Sequence, residues 1–339
     1  MKRYVFDVDD RLIVVTGAAG FIGSCVVRGL NEMGHANLLL VDDFGKTEKW
    51  RNLSGKRFAR FLSKEKLFGF LDERASDEIS GFIHLGACSD TMETDGDRFM
   101  RDNYEYSVRL AGYALTHGHR FIYASSAATY GAGENGFCDD EDRLSELRPL
   151  NMYGFSKHLF DLWLREQGVF NQVAGLKYFN IFGPNEYEKT YMASMVLHMT
   201  EQIAETGEVR LFRSSDPERF ADGEQKRDFY YVKDAARLTV LLFLHPELCG
   251  IFNVGSGKAH TWNAMADAVF HALGKEKRIR YIPMPGPLVH TYQNYTCADR
   301  SKLDDRLRES GVPFSDAFSF EEGIADYVSG YLVRGRARW

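Results

Sequence analysis

The sequence predicts an α/β protein: a Rossmann-type, doubly wound parallel sheet with a smaller α/β substrate-binding lobe. Three observations point there. A short apolar run at 12–16 ends in Thr16-Gly17-Ala18-Ala19-Gly20-Phe21-Ile22-Gly23. Strand-like and helix-like stretches then alternate, the pattern of a parallel sheet covered on both faces. The alternation resumes after a polar interruption at 213–227, so the sheet is revisited late in the chain.

The elements follow in order. Residues 12–16 are a β-branched strand, and 21–33 carry apolar residues at helical spacing until Gly34 stops them. Residues 38–41 form a second buried strand ending at Asp42-Asp43. Residues 81–85 and 120–124 read as further strands, with a helix over 99–117 between them. Beyond Lys177, residues 178–184 read as strand then loop and 192–206 as a helix. The stretch 213–227, charged and containing Pro217 and Gly223, reads as a surface loop. A strand at 228–232, a helix at 233–244 and a strand at 251–254 follow, and a last helix is expected over 320–331. The expected division is a dinucleotide-binding domain, 1–178 with 228–257, and a substrate lobe, 179–227 with 258–339.

Composition bounds the function. A chain of 339 residues with 44% hydrophobic content can bury a large core. A net charge of −6 argues against nucleic acid as a partner, because such binding draws on general phosphate attraction. The start, MKRYVFDVDDR, has acidic residues where a signal peptide needs an apolar core. No run approaches the roughly 18 apolar residues of a membrane span. A soluble cytoplasmic protein with no membrane partner is expected. Five scattered cysteines give no CxxC spacing, so neither a disulfide framework nor a metal site is expected.

Glycines at 17, 20 and 23 suit a phosphate turn. The first two let the backbone turn tightly and approach a pyrophosphate, and the third lets the helix pack on the sheet. The helix start then offers free N–H groups to the phosphates. Asp42 closes the second strand about 20 residues on, where a carboxylate takes the ribose hydroxyls of NAD. Lys46, Lys49, Arg51, Lys64 and Lys66 follow and could instead neutralise the 2′-phosphate of NADP, or simply form a solvated basic face.

Tyr153 and Lys157 stand i, i+4 and so share one helix face. A free phenol, with a pKa of about 10, is a poor base near neutrality. A nearby ammonium and a nicotinamide cation are expected to move it down. Ser126, after the strand at 120–124, can hydrogen-bond a substrate oxygen.

The strings VVTGAAGFIGS, YASSAATYG and NMYGFSK resemble the extended short-chain dehydrogenase/reductase superfamily, which holds nucleotide-sugar epimerases and dehydratases. HLGACSDTMETDG, YFNIFGPNEYEKTYMASMVLH, KRDFYYVKD and FNVGSGKAHTW resemble, within it, the ADP-glyceromanno-heptose 6-epimerase family. The resemblance implies an NADP-dependent enzyme, with NAD as the alternative. It would invert C6 of ADP-D-glycero-β-D-manno-heptose for lipopolysaccharide core, as a homo-oligomer, often a pentamer. Tyr153 matches the first acid/base, Lys189 a second, and Lys157 orients the nicotinamide ribose.

The resemblance places the cofactor on Gly17, Gly20, Phe21, Ile22, Gly23, Asp42, Asp43, Lys49 and Lys64. It adds Leu85, Gly86, Ala87, Cys88, Ser89, Asn103, Lys157, Ile181 and Lys189. The substrate falls to Asn180, Tyr191, His198, Phe212, Arg213, Ser214, Ser215, Arg227 and Tyr292. The sequence departs from the family pattern at Asp43 and Asp102, both Asn in the family, and at Tyr191, which replaces a small serine. The 213–227 loop is longer than usual. A 4,6-dehydratase would need an acid pair just after Ser126, and Ala127-Ala128-Thr129 offers none. A UDP-hexose 4-epimerase or a CDP- or GDP-heptose epimerase is the nearer alternative, and a non-catalytic NADP-binding protein the remotest.

Overall fold

The computed structural model describes residues 11–73, 76–91, 93–289 and 292–339. Residues 1–10, on which the expected lack of a signal peptide rests, lie outside the described residues. Among the described residues twelve strands form three sheets: β1 (Leu12–Thr16), β2 (Leu38–Val41), β3 (Arg60–Leu62), β4 (Ile79–His84), β5 (Arg120–Ser126), β6 (Val173–Tyr178), β7 (Asn180–Phe182), β8 (Val209–Phe212), β9 (Lys226–Tyr231), β10 (Gly250–Val254), β11 (Ala259–Thr261) and β12 (Ile279–Ile282). The large sheet runs β10-β6-β5-β4-β1-β2-β3 and every pairing in it is parallel. Strand order reverses between β1 and β4, so a crevice opens at their carboxyl ends, where doubly wound sheets bind ligands.

The central strands are continuous apolar runs because helices cover both faces. All residues of β1, β2 and β10 are buried. On one face the helix Phe21–Glu32 packs against the helix Val232–Leu244, where a Cβ on Gly29 would stand 3.3 Å from Val240 Cγ2. The other face buries Phe82, Phe121, Tyr123 and Phe160.

The helix expected over 99–117 is present but not uniform. It starts at Gly96, widens into a π turn over Met100–Glu105, and returns to α geometry over Tyr106–Thr116. Such wide turns often mark functional positions, and Asn103 sits in this one.

A smaller lobe holds β7, β9 and β11 in one sheet and β8 with β12 in another. The loop expected at 213–227 is shorter at its end, because β9 begins at Lys226. The helix Met195–Thr206 begins later than expected, since 187–192 is a tight 3-10 stretch. Among the described residues no helix is long and apolar enough to cross a membrane.

Candidate active site

Each wall of the crevice follows from a local feature of the chain. Gly17 sits at φ +67°, and a Cβ there would lie 2.6 Å from the Gly86 nitrogen. A Cβ on Gly23 would lie 2.0 Å from the Gly17 carbonyl oxygen. The turn therefore admits no side chain at these two positions, and the backbone is bare where a pyrophosphate would approach. Gly20 starts the helix without a side-chain cap, which leaves its first N–H groups for a ligand.

Asp42 binds the turn itself: Oδ2 accepts from the Ala19 N–H at 2.9 Å, and Oδ1 from Lys49 Nζ at 2.7 Å. Asp43 accepts from the Lys64 N–H at 3.2 Å, while Lys64 Nζ pairs with Asp102 at 3.1 Å. The departures from the family pattern at Asp43 and Asp102 thus meet at Lys64.

The 85–89 loop is fixed from behind. Asn103 Oδ1 accepts from the Cys88 N–H at 2.7 Å, and its Nδ2 donates to the Cys88 carbonyl and to Ser156 Oγ, both at 2.9 Å. Asn103 is fully buried, so it braces this loop against the helix Met152–Glu166.

That helix carries the Tyr–Lys pair. Asn151 caps it by accepting from the Gly154 N–H at 2.8 Å. A Cβ on Gly154 would stand 2.7 Å from the Ala128 carbonyl oxygen, so glycine lets the helix press against the turn after β5. Tyr153 is thereby within hydrogen-bonding reach of the Ser126 hydroxyl. Lys157 Nζ donates to the Ala124 carbonyl at 2.9 Å. Burial pulls the Lys157 ammonium down to about 8, with Asp161 opposing.

The expected lowering of the Tyr153 phenol does not come from the protein's own groups. Burial pushes it above its usual value, and the bond with Ser126 opposes that only in part. The Lys157 ammonium is instead engaged with the strand carbonyl.

Beneath Ser126 lies a buried ionic cluster. Asp161 and Lys177 are both fully buried and pair at 2.8 Å. Asp161 also accepts from Tyr123 at 2.8 Å and Ser125 at 2.7 Å, and Lys177 donates to Thr129 at 2.6 Å. This network holds the carboxyl end of β5 in place.

Lys189 arrives from the 3-10 stretch Tyr187–Met192. Its Nζ lies 5.5 Å from the centre of the Phe21 ring, and burial lowers its pKa while Glu186 raises it. Glu186 is itself buried and accepts from the Ser194 N–H at 2.7 Å and its hydroxyl at 2.6 Å.

One cavity of about 630 Å³ collects these groups. From the turn, Gly17, Gly20, Phe21, Ile22 and Gly23 line it, with Asp42 and Lys49 beside them. Leu85, Gly86, Ala87 and Ser89 form the next wall, then Ser126, Tyr153 and Lys157, and then Asn180, Ile181 and Lys189. Cys88, Asn103, Asp43 and Lys64 are not among the residues that line it. The glycine cradle and the carboxylate at the end of β2 fit a nicotinamide dinucleotide.

The expected substrate residues are more scattered. Arg227 is buried, donates to the Lys226 carbonyl at 3.0 Å, and lies 5.1 Å from the Tyr292 ring and 6.0 Å from that of Trp262. Tyr292 accepts from Trp262 Nε1 at 2.8 Å. Ser214 is tied by its N–H to Asp222 at 2.8 Å, Phe212 and Ser215 are half-buried and Arg213 is exposed. His198 faces Glu201 at 3.8 Å. Tyr191 is 57% exposed and donates to Asp90 at the rim. None of these eight lines the main cavity, whereas Asn180 does.

Sequence reasoning missed Asn52, Asn185, Glu188, Phe229 and Trp262, all on the cavity wall. Asn185 and Glu188 lie inside YFNIFGPNEYEKTYMASMVLH, Phe229 inside KRDFYYVKD and Trp262 inside FNVGSGKAHTW, so these motifs held a usable signal for all four. Asn52 had none, because it sits in a segment read for its charges.

The chain belongs to the NAD dependent epimerase/dehydratase family, whose profile matches residues 13–255. It is 44% identical over 323 residues to the ADP-L-glycero-D-manno-heptose-6-epimerase of Nitratidesulfovibrio vulgaris (strain DP4), covering 95% of this chain and 98% of that protein. The enzyme of the same name from Fusobacterium nucleatum is 42% identical over 333 residues, at 95% and 98% coverage. The crystal structure of ADP-L-glycero-D-manno-heptose-6-epimerase from Helicobacter pylori superposes with a TM-score of 0.78 at 26% identity, covering 97% of this chain and 99% of that one.

Proposed function

We propose that this protein is an ADP-glyceromanno-heptose 6-epimerase, converting ADP-D-glycero-β-D-manno-heptose to its L-glycero epimer for lipopolysaccharide core. The observation that carries the reading is that two proton carriers, Tyr153 and Lys189, reach one cavity from separate elements. Inverting C6 moves its oxygen, so a second proton carrier is needed where the oxygen arrives. Likeness over 95% of the chain to proteins named for this reaction supports it.

A dinucleotide held by the glycine turn, Asp42 and Lys157 would supply the hydride acceptor and donor for C6. The chain's own groups do the rest. The Ser126 hydroxyl and the Tyr153 phenol hold the C6 oxygen, and Tyr153 moves its proton. Lys157 fixes the ribose edge beside Tyr153. Lys189, whose ammonium is weakened by burial, gives a proton to the oxygen in its new position. Arg227 suits the diphosphate: it is buried with a fork that can bind two oxygens, and aromatic rings flank it.

NADP is the inferred cofactor. Lys49 already neutralises Asp42, and Lys64 sits at the carboxyl end of β3 beside the expected adenosine ribose. The second reading is NAD, favoured by the carboxylates of Asp42 and Asp43. A cytoplasmic location and a homo-oligomer, pentameric by resemblance, belong to the same proposal.

Tyr153→Phe and Lys189→Met should each slow epimerisation by at least about 100-fold. Both variants should keep their bound dinucleotide and thermal midpoint. Near-normal turnover in either variant removes that residue from the mechanism.

A further inference from the structure

Residues 336–339 belong to no sheet, yet they reach the wall of the cofactor cavity. The Arg338 guanidinium spans two segments: Nη1 donates to Asn52 Oδ1 at 2.6 Å, and Nη2 pairs with Glu188 Oε1 at 2.9 Å. It lies 4.6 Å from the centre of the Tyr187 ring, and the Tyr187 hydroxyl donates to the Ala337 carbonyl at 2.7 Å. The Trp339 N–H donates to Asn185 Oδ1 at 3.0 Å, and Asn185 Nδ2 returns a bond to the Trp339 carbonyl at 3.0 Å.

The partners give these contacts their meaning. Asn52 Nδ2 donates to the Ala19 carbonyl in the glycine turn at 3.0 Å and to the Asn185 carbonyl at 3.2 Å. Glu188 immediately precedes Lys189, and its other oxygen accepts from the Glu48 N–H at 3.3 Å. Asn52, Asn185 and Glu188 all line the cavity. The segment bearing Lys189 is bracketed by Asn185 at φ +77° and Thr190 at φ +50°, and a β-branched residue such as Thr190 adopts that region at a cost. A segment held in that shape needs support from outside itself, and residues 337–339 supply it.

We propose that Arg338 is a positioning residue. By bridging Asn52 and Glu188 it fixes the Lys189 segment relative to the phosphate turn, so that cofactor retention and proton delivery depend on one guanidinium. It touches neither reactant. The inference rests on the role given to Lys189 above, except for its cofactor-retention half, which does not.

The test uses the holoenzyme and the variants Arg338→Met, Arg338→Lys and Glu188→Gln. Arg338→Met should lower kcat about tenfold with KM for the nucleotide-sugar unchanged within about twofold, because a misplaced group costs turnover before binding. It should also lose bound dinucleotide on gel filtration, read by absorbance and fluorescence. Arg338→Lys should recover part of both losses, since an ammonium keeps the charge but not the two-pronged fork. The double variant Arg338→Met/Glu188→Gln should be no worse than the poorer single one. Wild-type kcat and dinucleotide content in Arg338→Met would overturn the proposal. Additive losses in the double variant, or a parallel fall of kcat, KM and thermal midpoint that lysine does not rescue, would overturn it too. Normal turnover in Lys189→Met would sink the acid/base reading alone, leaving the retention measurement to judge Arg338.

Discussion

Replacing Lys177 by methionine isolates the ionic cluster beneath the site. Methionine has similar length and no charge, so the change removes the ammonium with little loss of volume. Lys177 is fully buried, and its ammonium donates to Asp161 at 2.8 Å and to Thr129 at 2.6 Å. Asp161 would keep its bonds from Tyr123 and Ser125 but lose its counter-charge. Removing one partner of a buried pair costs about 3–5 kcal/mol, because an uncompensated charge stays behind. Unfolding entropy of about 2.1 cal/mol/K per residue gives about 0.7 kcal/mol/K for a chain of 339 residues. The thermal midpoint should therefore fall by about 4–7 °C in a calorimetric scan at fixed rate. A fall under about 1.5 °C, equivalent to about 1 kcal/mol, would refute the claim that this pair holds the end of β5.

Gly23→Ala places a methyl group 2.0 Å from the Gly17 carbonyl oxygen, so the turn must open. Dinucleotide affinity should drop about tenfold or more, and an unchanged fluorescence titration would refute the cradle. Lys64→Ala should weaken NADP about tenfold more than NAD, since it removes one charge-assisted contact to the 2′-phosphate. Equal weakening in parallel titrations would show that Lys64 does not read that group. Burial raises the Asp139 carboxyl to about 6, above its unfolded value. The folded state then binds that proton more tightly, so the associated stability is full below about pH 4 and lost as pH rises through about 6. Asp139→Asn should gain in thermal midpoint over the wild type across that window, and a difference constant from pH 4 to 7 would contradict the assignment.

The parts legible in the sequence were those whose signal is local. β1 and β2 read as unbroken apolar runs because both faces of the sheet are covered, and the glycine turn reads from its spacing. β6 went unread as a strand because it contains Gly175 and Lys177. A Cβ at 175 would meet the Tyr123 hydroxyl at 2.4 Å, and the lysine is tolerated only beside Asp161, a partner on another element. The three- and four-residue strands β3, β8, β11 and β12 are too short for a period to show. Tyr153, Lys157 and Lys189 could be placed from motifs and Asn103 from the family resemblance, whereas the contacts of Asn52 and Arg338 depend on chain crossings that no spacing records.

The most direct test of the central claim is proton NMR of the purified holoenzyme incubated with ADP-D-glycero-β-D-manno-heptose and no added cofactor. Signals of the L-glycero epimer should grow toward equilibrium, with bound dinucleotide recycled. An unchanged substrate spectrum, with NADP or NAD supplied as well, would contradict that claim.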